Sequence, residues 1–566
     1  MHASPQQLES VLLRHFVDAY ASLVIVADTE PARKSGIVRF LEWQNMTRHL
    51  RIHIAILLGI MFTAIEVHAV DIYQPRTFGI ELRHLEMSRQ AILNGDPQTR
   101  QNLRTTIQRA NAALLKGPFS VTFTPHVAPS GDPHDLHSFG PYAWPNPDTP
   151  DGLPWVLRDG ITNPDADLEW DQLFELGNVT ESMMLAHYFT GDEQYAERTA
   201  LLMRTWFVDP ATRMNPRDEY SAIVPGVRYG SFAAPGWGNL LGGRYFMDSL
   251  GLLEASEHWT EEDRAATRQW FSDFRQWALE SPIAHIQQRD RGNHGTNYDY
   301  VMAQIGLYLD DHDFAKANAD HYFNNRFLRQ YTPDGHDVVS MTRANNLLYH
   351  RYNLNRALDV AVAGNRASDN NYFEYETSDE RSLRAALDFL LPYWSGEQTW
   401  EFWPGAPFPR EPLVYYSILR RSAIHFKDPR LLDMADQIRP ISVRYEDLIY
   451  PREAVYEQVW RGDSNADGLF NSQDLIQVLA AGKYETGEKA FWADGDWNQD
   501  GLFNSRDLVV AFLDGGYEQG RKETLAATAV PEPATAASLV IGTLVVLQRI
   551  RRSGFGILSS AIVRPR

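Results

Sequence analysis

Residues 291–299 read RGNHGTNYD, which puts the amide of Asn293, the imidazole of His294 and the phenol of Tyr298 within six residues, with Asp299 next. An Asn amide donates, an imidazole donates or accepts, and a phenol does either. Such a set can hold an anionic group and move a proton, the task of general acid–base catalysis. The plain alternative is a capped loop whose histidine satisfies a backbone carbonyl. A second polar cluster lies in RANNLLYHRYNL (343–354), with Arg343, Tyr349 and His350. A third lies in residues 118–164, which hold 10 of the 31 prolines together with His134, Asp135, His137, Tyr142, Trp144 and Trp155. Proline removes a backbone donor and fixes φ, so this stretch is expected as a long extended loop. Loops of that length in compact domains are often functional, the alternative being a rigid packing strap.

The elements that must position these residues read as helices between about 71 and 445. TEEDRAATRQWFSDFRQWALES begins on Thr260 as N-cap and puts Trp270, Phe274 and Trp277 on one stripe. DEQYAERTALLMRTWFVDP begins on Asp192 and stacks Tyr195, Thr199, Leu202 and Trp206. SDERSLRAALDFLLPYW is expected to begin on Ser378, with Leu383, Ala386, Leu387, Leu390 and Leu391 on its buried face. Strands are hard to find, so the expected class is all-α. A chain of 566 residues exceeds what one core sustains, so more than one unit is expected.

The formal net charge of −20 argues against a nucleic-acid or anionic-membrane partner. No cysteine is present, which excludes disulfides, thiolate metal sites and a Cys nucleophile. The high aromatic content suits sugar stacking but also suits a large core. Part of the acidity is local, since residues 456–520 carry 12 acidic and 4 basic side chains.

That acidic segment holds a repeat offset by 33 residues, GDSNADGLFNSQDL (462–475) and GDWNQDGLFNSRDL (495–508). Oxygen side chains stand at loop positions 1, 3, 5, 9 and 12: Asp463, Asn465, Asp467, Asn471 and Asp474, then Asp496, Asn498, Asp500, Asn504 and Asp507. Gly468 and Gly501 fall where a calcium loop turns sharply, and Leu469 and Leu502 would supply its backbone carbonyl. This spacing predicts two Ca2+ sites. The following helices (Leu475, Ile476, Val478, Leu479; Leu508, Val509, Ala511, Phe512) are expected to pack the pair together. With Asp at position 12, the module resembles the dockerin type of EF-hand, which implies a cohesin-like protein partner. The catalytic segment is expected to be largely indifferent to calcium.

Both ends carry address signals. MTRHLRIHIAILLGIMFTAIEVHA (46–69) has the basic start, apolar run and small-residue end of a secretory signal, with cleavage after Ala69 and Met46 as the natural start. Near the other end, VPEPATAASLVIGTLVVLQRIRR places Pro-Glu-Pro, an apolar run and then arginines in an order that resembles PEP-CTERM sorting signals. The expected organisation is an extension and signal over 1–69, a catalytic segment over 70–445, the calcium module over 456–520 and a sorting segment over 528–566. The expected location is outside the cytoplasm, with the envelope or membrane engaged through the C-terminal segment.

DPHDLHSFGPYAWPNP, HYFTGDEQYAERTALLMRTWFVDPATRMNP, NHGTNYD and DGHDVVSMTRANNLLYHRYNL occur in this order over most of residues 120–400. Together they resemble the alginate-lyase-type family of polysaccharide lyases. The resemblance implies an (α/α) toroid, an acidic polysaccharide substrate of the alginate or glucuronan class, and β-elimination without a cofactor for catalysis. It assigns carboxylate neutralisation to Asn293 and His294, base chemistry to His294, carboxylate binding to Arg343 and the catalytic tyrosine to Tyr349. It departs from the family's pattern at Gly292, where an Asn is usual, at Ala344, where a Thr is common, and at His350, where a Ser is common. His134, Asp135, Tyr142, Trp144, Tyr298 and His350 are expected to contact substrate. Two rivals are a toroidal glycoside hydrolase, for which Asp299 with Glu374 would be a carboxylate pair, and a non-catalytic, calcium-stabilised glycan-binding protein.

Overall fold

The computed structural model describes residues 74–166, 170–227, 245–402, 412–440, 443 and 445–522. The signal segment 46–69 and the sorting segment 528–566 lie outside the described residues. Among the described residues no helix is long and apolar enough to cross a membrane.

Helices begin where local capping chemistry directs them. Thr260 and Asp263 form a reciprocal capping box at the start of Glu261–Glu280, and Trp270, Phe271, Phe274 and Ala278 give that helix one buried face. Asp192 caps Glu193–Met203, which buries Tyr195, Thr199 and Leu202 and runs into a π-turn at Arg204–Val208 that buries Trp206. The helix expected to start on Ser378 instead spans Leu383–Ser395 with Ser382 as N-cap. Residues 376–382 form a tight turn closed by a Glu376–Ser382 bridge, with Glu380 at φ 70°, so Ser378 sits where no helix can run.

Amphipathic helices such as Glu261–Glu280 pack around others that are buried on all sides. In Asn293–Tyr308 every residue except His294 is buried, and Asn346–Ala367 is buried along most of its length. Successive helices pack as hairpins, giving the expected all-α (α/α) toroid. Asn293–Tyr308 and Asn346–Ala367 pack directly together. Three cross-contacts fix their register: Thr296 to Asn353, Asn297 to Tyr352, and Arg356 over the Tyr300 ring. The partners differ by 57, 55 and 56 positions, a nearly constant offset, so the helices run parallel. The same offset sets Asn293 level with Tyr349, since 349 − 293 is also 56.

The proline-rich segment is a folded strap. Strand β1 (His137–Phe139) pairs in parallel with β4 (Tyr220–Ile223), and β2 (Ala143–Trp144) pairs antiparallel with β3 (Val156–Leu157). The β2–β3 hairpin is extended by Arg158 N–H to Tyr142 O at 2.9 Å and Asn163 N–H to Pro141 O at 2.8 Å. Asn163 Nδ2 also donates to Ala143 O at 2.8 Å.

After residue 456 come the two repeated loops. Asp463 accepts from the amides of Asp467 (3.1 Å) and Gly468 (2.8 Å), and Asp496 accepts from Asp500 (3.0 Å) and Gly501 (2.9 Å). Asp474 and Asp507 close capping boxes for Ser472–Ala480 and Ser505–Leu513. Those helices share less surface than expected. Val478 and Ala511 are buried, whereas Ile476, Leu479, Val509 and Phe512 face solvent. The module instead seats Trp492 against the preceding helices: its amide donates to Asp433 at 2.8 Å, its ring stacks on Tyr456 at 5.3 Å, and its indole N–H donates to Asp463 O at 2.6 Å.

One glycine at the head of the buried helix tests this packing. A Cβ on Gly295 would lie 2.0 Å from Arg326 Nη1 and 2.2 Å from Asp290 O, which bond each other while Arg326 is also held by a buried bond to Asp299. Gly295→Ala is expected to destabilise the fold by at least ~1–3 kcal/mol, the usual cost of overpacking. Thermal unfolding of the variant checks this.

Candidate active site

The helix Asn293–Tyr308 takes its first turn from the polar run of the sequence. Gly292 is the extended residue before it, and its carbonyl accepts from Gln330 Nε2 at 3.0 Å. Gln330 also donates to Arg291 O and Thr296 Oγ1, each at 2.9 Å, which fixes the chain entering the helix. A Cβ at Gly292 would come within 3.1 Å of Val339 Cγ1, so this chain's glycine accompanies a close valine. Asn293 is buried and His294 half-buried at this turn.

Tyr349 lies on the first turn of Asn346–Ala367, whose N-cap Asn345 accepts from Leu348 N–H. Arg343 precedes that helix and lays its guanidinium 3.6 Å from the centre of the Tyr349 ring. Tyr142, carried by the strap, places its hydroxyl 2.8 Å from the Tyr349 hydroxyl. The structure thus brings Tyr142, Tyr349 and Arg343 into one cluster, with Asn293 and His294 on the neighbouring helix at the same level. The Tyr349 phenol is pushed well above its ordinary value, by burial first and then by the hydrogen bond and charge of Tyr142. Arg343 acts in the opposite direction without prevailing. At neutral pH Tyr349 therefore carries its proton, whereas base chemistry at that residue would need a lowered value.

Asp159 was not singled out by sequence. Its carboxylate takes Nε and Nη2 of Arg343 and the amide of Ala344 at 3.0 Å. Arg343 and Ala344 hold its pKa below the usual carboxylate value despite partial burial.

Several expected substrate contacts have other partners. His350 is fully buried, stacked on Phe389 at 5.1 Å and flanked by Trp400 and Tyr331, so it cannot touch a polymer. Burial, followed by the charge of His336, lowers it to about 3. Tyr298 is buried, donates to Ala278 O at 3.2 Å and is pushed up to about 12 by burial. Asp135 is buried in a two-bond pair with Arg217 (2.6 and 2.7 Å) and with Asn215 at 2.8 Å, so it braces the strap. His134 Nδ1 bonds Arg213 O at 2.6 Å. Trp144 donates to Ile161 O at 3.0 Å and carries Arg158 on one ring face, leaving only part of its surface for a sugar. Asp299, one half of the rival carboxylate pair, is buried against Arg326 at 2.8 Å and cannot flank a glycosidic bond.

Residues 120–400 match the alginate lyase family model. A crystal structure of an alginate lyase from Bacteroides ovatus is 29% identical, with a TM-score of 0.62, covering 67% of this chain and 99% of that one. Over residues 120–400 the chain is similar to the alginate lyase family. The protein is a polysaccharide lyase. A structure of alginate lyase A1-III from Sphingomonas species A1 is 14% identical over 67% of this chain and 97% of that one, with a TM-score of 0.42. None of the curated proteins matches the chain.

For this lyase the placement of His350 has a measurable consequence. The imidazole's folded-state value lies below its unfolded value of 6.5, so its contribution is fully present above about pH 6.5 and is lost as pH falls toward about 3. His350→Phe is expected to keep the native fold to lower pH than the parent while changing turnover by less than about threefold, because its ring only packs. Acid titration followed by circular dichroism, with rates at neutral pH, checks both halves.

Proposed function

We propose that the protein is an exported lyase that cleaves a uronate-containing polysaccharide of the alginate or glucuronan class by β-elimination. The observation that carries this reading is the Tyr142–Tyr349 hydroxyl pair beside Arg343, level with Asn293 and His294. Elimination removes the C5 proton of a uronate, so charge builds on a carboxylate that is already anionic. Arg343, Asn293 and His294 are the donors placed to neutralise it. His294 takes the C5 proton, the C4–C5 double bond forms, and the C4–O bond breaks. Tyr349, held protonated by burial, gives its proton to the departing glycosidic oxygen. The strap, with Tyr142 and the open part of Trp144, lies along the path of the neighbouring sugars.

A panel of alginate, its homopolymeric blocks, glucuronan and hyaluronan, scored for new ultraviolet absorbance, tests the reaction class, because only elimination leaves a conjugated double bond. On the best substrate, Tyr349→Phe should lower kcat by about 10²–10⁴, the usual worth of acid–base catalysis, with KM nearly unchanged. Arg343→Ala should damage both KM and kcat, since the carboxylate is charged in both ground and transition states. Asn293→Ala should lower kcat more than it raises KM. A folded Tyr349→Phe enzyme with parental turnover would remove Tyr349 from the mechanism.

The repeated loops are read as Ca2+ sites. Among the described residues no three His, Asp or Glu side chains form a metal-holding group, so the donor set must be mixed. Each loop offers carboxylates, amides and a backbone carbonyl, the oxygen chemistry a hard cation takes. Burial, with the charges of Asp474 and Asp467, raises Asp463 to about 7, while burial and Asp507 raise Asp496 to about 6. A cation would relieve both. The exposed Ile476, Leu479, Val509 and Phe512 suit a cohesin-like protein partner, and the segment beyond 528 suits envelope attachment.

Because Trp492 joins Asp463 to Asp433 and Tyr456, calcium should also stabilise the preceding lyase segment at its helix Arg430–Gln437, contrary to the indifference expected from sequence. At a hundredfold excess over Kd, calcium should stabilise the native form by about 2.7 kcal/mol and raise the lyase unfolding midpoint with it. Identical calorimetric traces in chelator and in calcium would contradict the calcium sites. A shift confined to a separate minor transition would contradict the coupling alone.

A further inference from the structure

We propose that Asp159 is a positioning residue for the elimination: it locks the strap hairpin onto Arg343 and so sets how Arg343 meets the substrate carboxylate and how Tyr142 meets Tyr349. This rests on the function proposed above and names a residue that acts through that site.

The strap meets the head of the helix Asn346–Ala367 through Tyr142 to Tyr349, and the segment just before that helix through Asp159 to Arg343 and Ala344. The two contacts are not independent. Arg158 N–H donates to Tyr142 O at 2.9 Å, so Asp159 directly follows, in the turn after β3, the residue paired with Tyr142. Fixing Asp159 therefore fixes Tyr142. Gly160 permits this approach: it sits at φ +76°, and a Cβ there would be 3.4 Å from the Ala344 Cβ.

Asp159 occupies one edge of the guanidinium, the Nε and Nη2 side, at 3.2 Å from Nε to Oδ1. That leaves the Nη1 side for a uronate, with Cζ of the group 3.6 Å from the centre of the Tyr349 ring. An arginine has many rotamers, and two anchors reduce them to the one that faces the site. The pair is partly open to water, at 25% and 42% side-chain exposure, so it contributes little to folding. Its effect is on geometry. Asp159 also neutralises part of the Arg343 charge, which makes the opposite outcome concrete: if a uronate carboxylate had to displace Asp159, removing it would tighten binding.

The test uses the full-chain protein with Asp159→Ala and Asp159→Asn, kinetics on the best polyuronate, thermal unfolding, and hydrogen exchange. Asp159→Ala should lower kcat about 10- to 100-fold, the scale of a misplaced catalytic group, with KM within about threefold and the unfolding midpoint nearly unchanged. Asp159→Asn keeps an acceptor for Ala344 and should lose less. Exchange of the Ala344 amide and of the 141–163 hairpin should quicken in Asp159→Ala. Parental kcat, or a fall in KM that raises kcat/KM, would overturn the proposal. Unchanged exchange at Ala344 and in the hairpin would overturn it without reference to activity. If the parent enzyme turns over no polyuronate, the proposed substrate class fails, and the exchange result still decides whether Asp159 holds the strap.

Discussion

Thr296 Oγ1 donates to Asn353 Oδ1 at 2.7 Å, Asn353 Nδ2 donates onward to Asp337 at 2.7 Å, and all three residues are removed from water. These bonds cross between the helices that carry Asn293 with His294 and Tyr349. Inside a protein a satisfied polar chain is specific because its failure is costly: each orphaned partner forfeits ~1–3 kcal/mol. Apolar ridges alone would tolerate a slide by one helical turn, about 5.4 Å, which would carry Tyr349 away from His294. The network forbids it. Gln330 ties the same threonine to the chain entering the helix, so one set of hydrogen bonds fixes both the register and the head of the helix.

On that frame the strap adds the third side of the site. It arrives from more than 180 residues earlier in the chain and holds its shape through its own hairpin and the Asp135–Arg217 pair. Tyr349 is then enclosed by Tyr142 and Arg343; burial and Tyr142 raise its pKa against the opposing charge of Arg343, so it is protonated at neutral pH. Burial makes this phenol a weaker acid than a free one, so its proton is held until a strongly basic oxygen takes it.

What could be read from sequence was what local chemistry dictates. Thr260 and Asp192 cap helices because their side chains reach amides two or three residues on, and the stripe through Trp270 and Phe274 follows from helical period. Ser378 misled because a turn and a bridge to Glu376 win over its capping preference. NHGTNYD looked like a polar break because its partners, Asn353, Tyr352 and Arg326, lie 27 to 57 residues away. His350 and Tyr298 looked available for the same reason. Their surroundings are tertiary, and the aromatic box around His350 draws Phe389 and Trp400 from a distance. The family motifs pointed to Asn293, His294, Arg343 and Tyr349 as candidates, but no spacing announced Asp159, whose partner is 184 residues away. The repeated loops folded in matching register, whereas the exposure of Ile476 and Phe512 depended on where Trp492 seats the module.

The central claim is that two parallel helices bring Asn293 and Tyr349 to one transition state. A double-mutant cycle in kcat/KM on the preferred polyuronate, using Asn293→Ala, Tyr349→Phe and the pair, tests it directly. Groups that act as a unit give strongly non-additive losses. The account predicts that the double variant loses little more than Tyr349→Phe alone. Independent, additive losses would show that the two residues serve different steps and would contradict it.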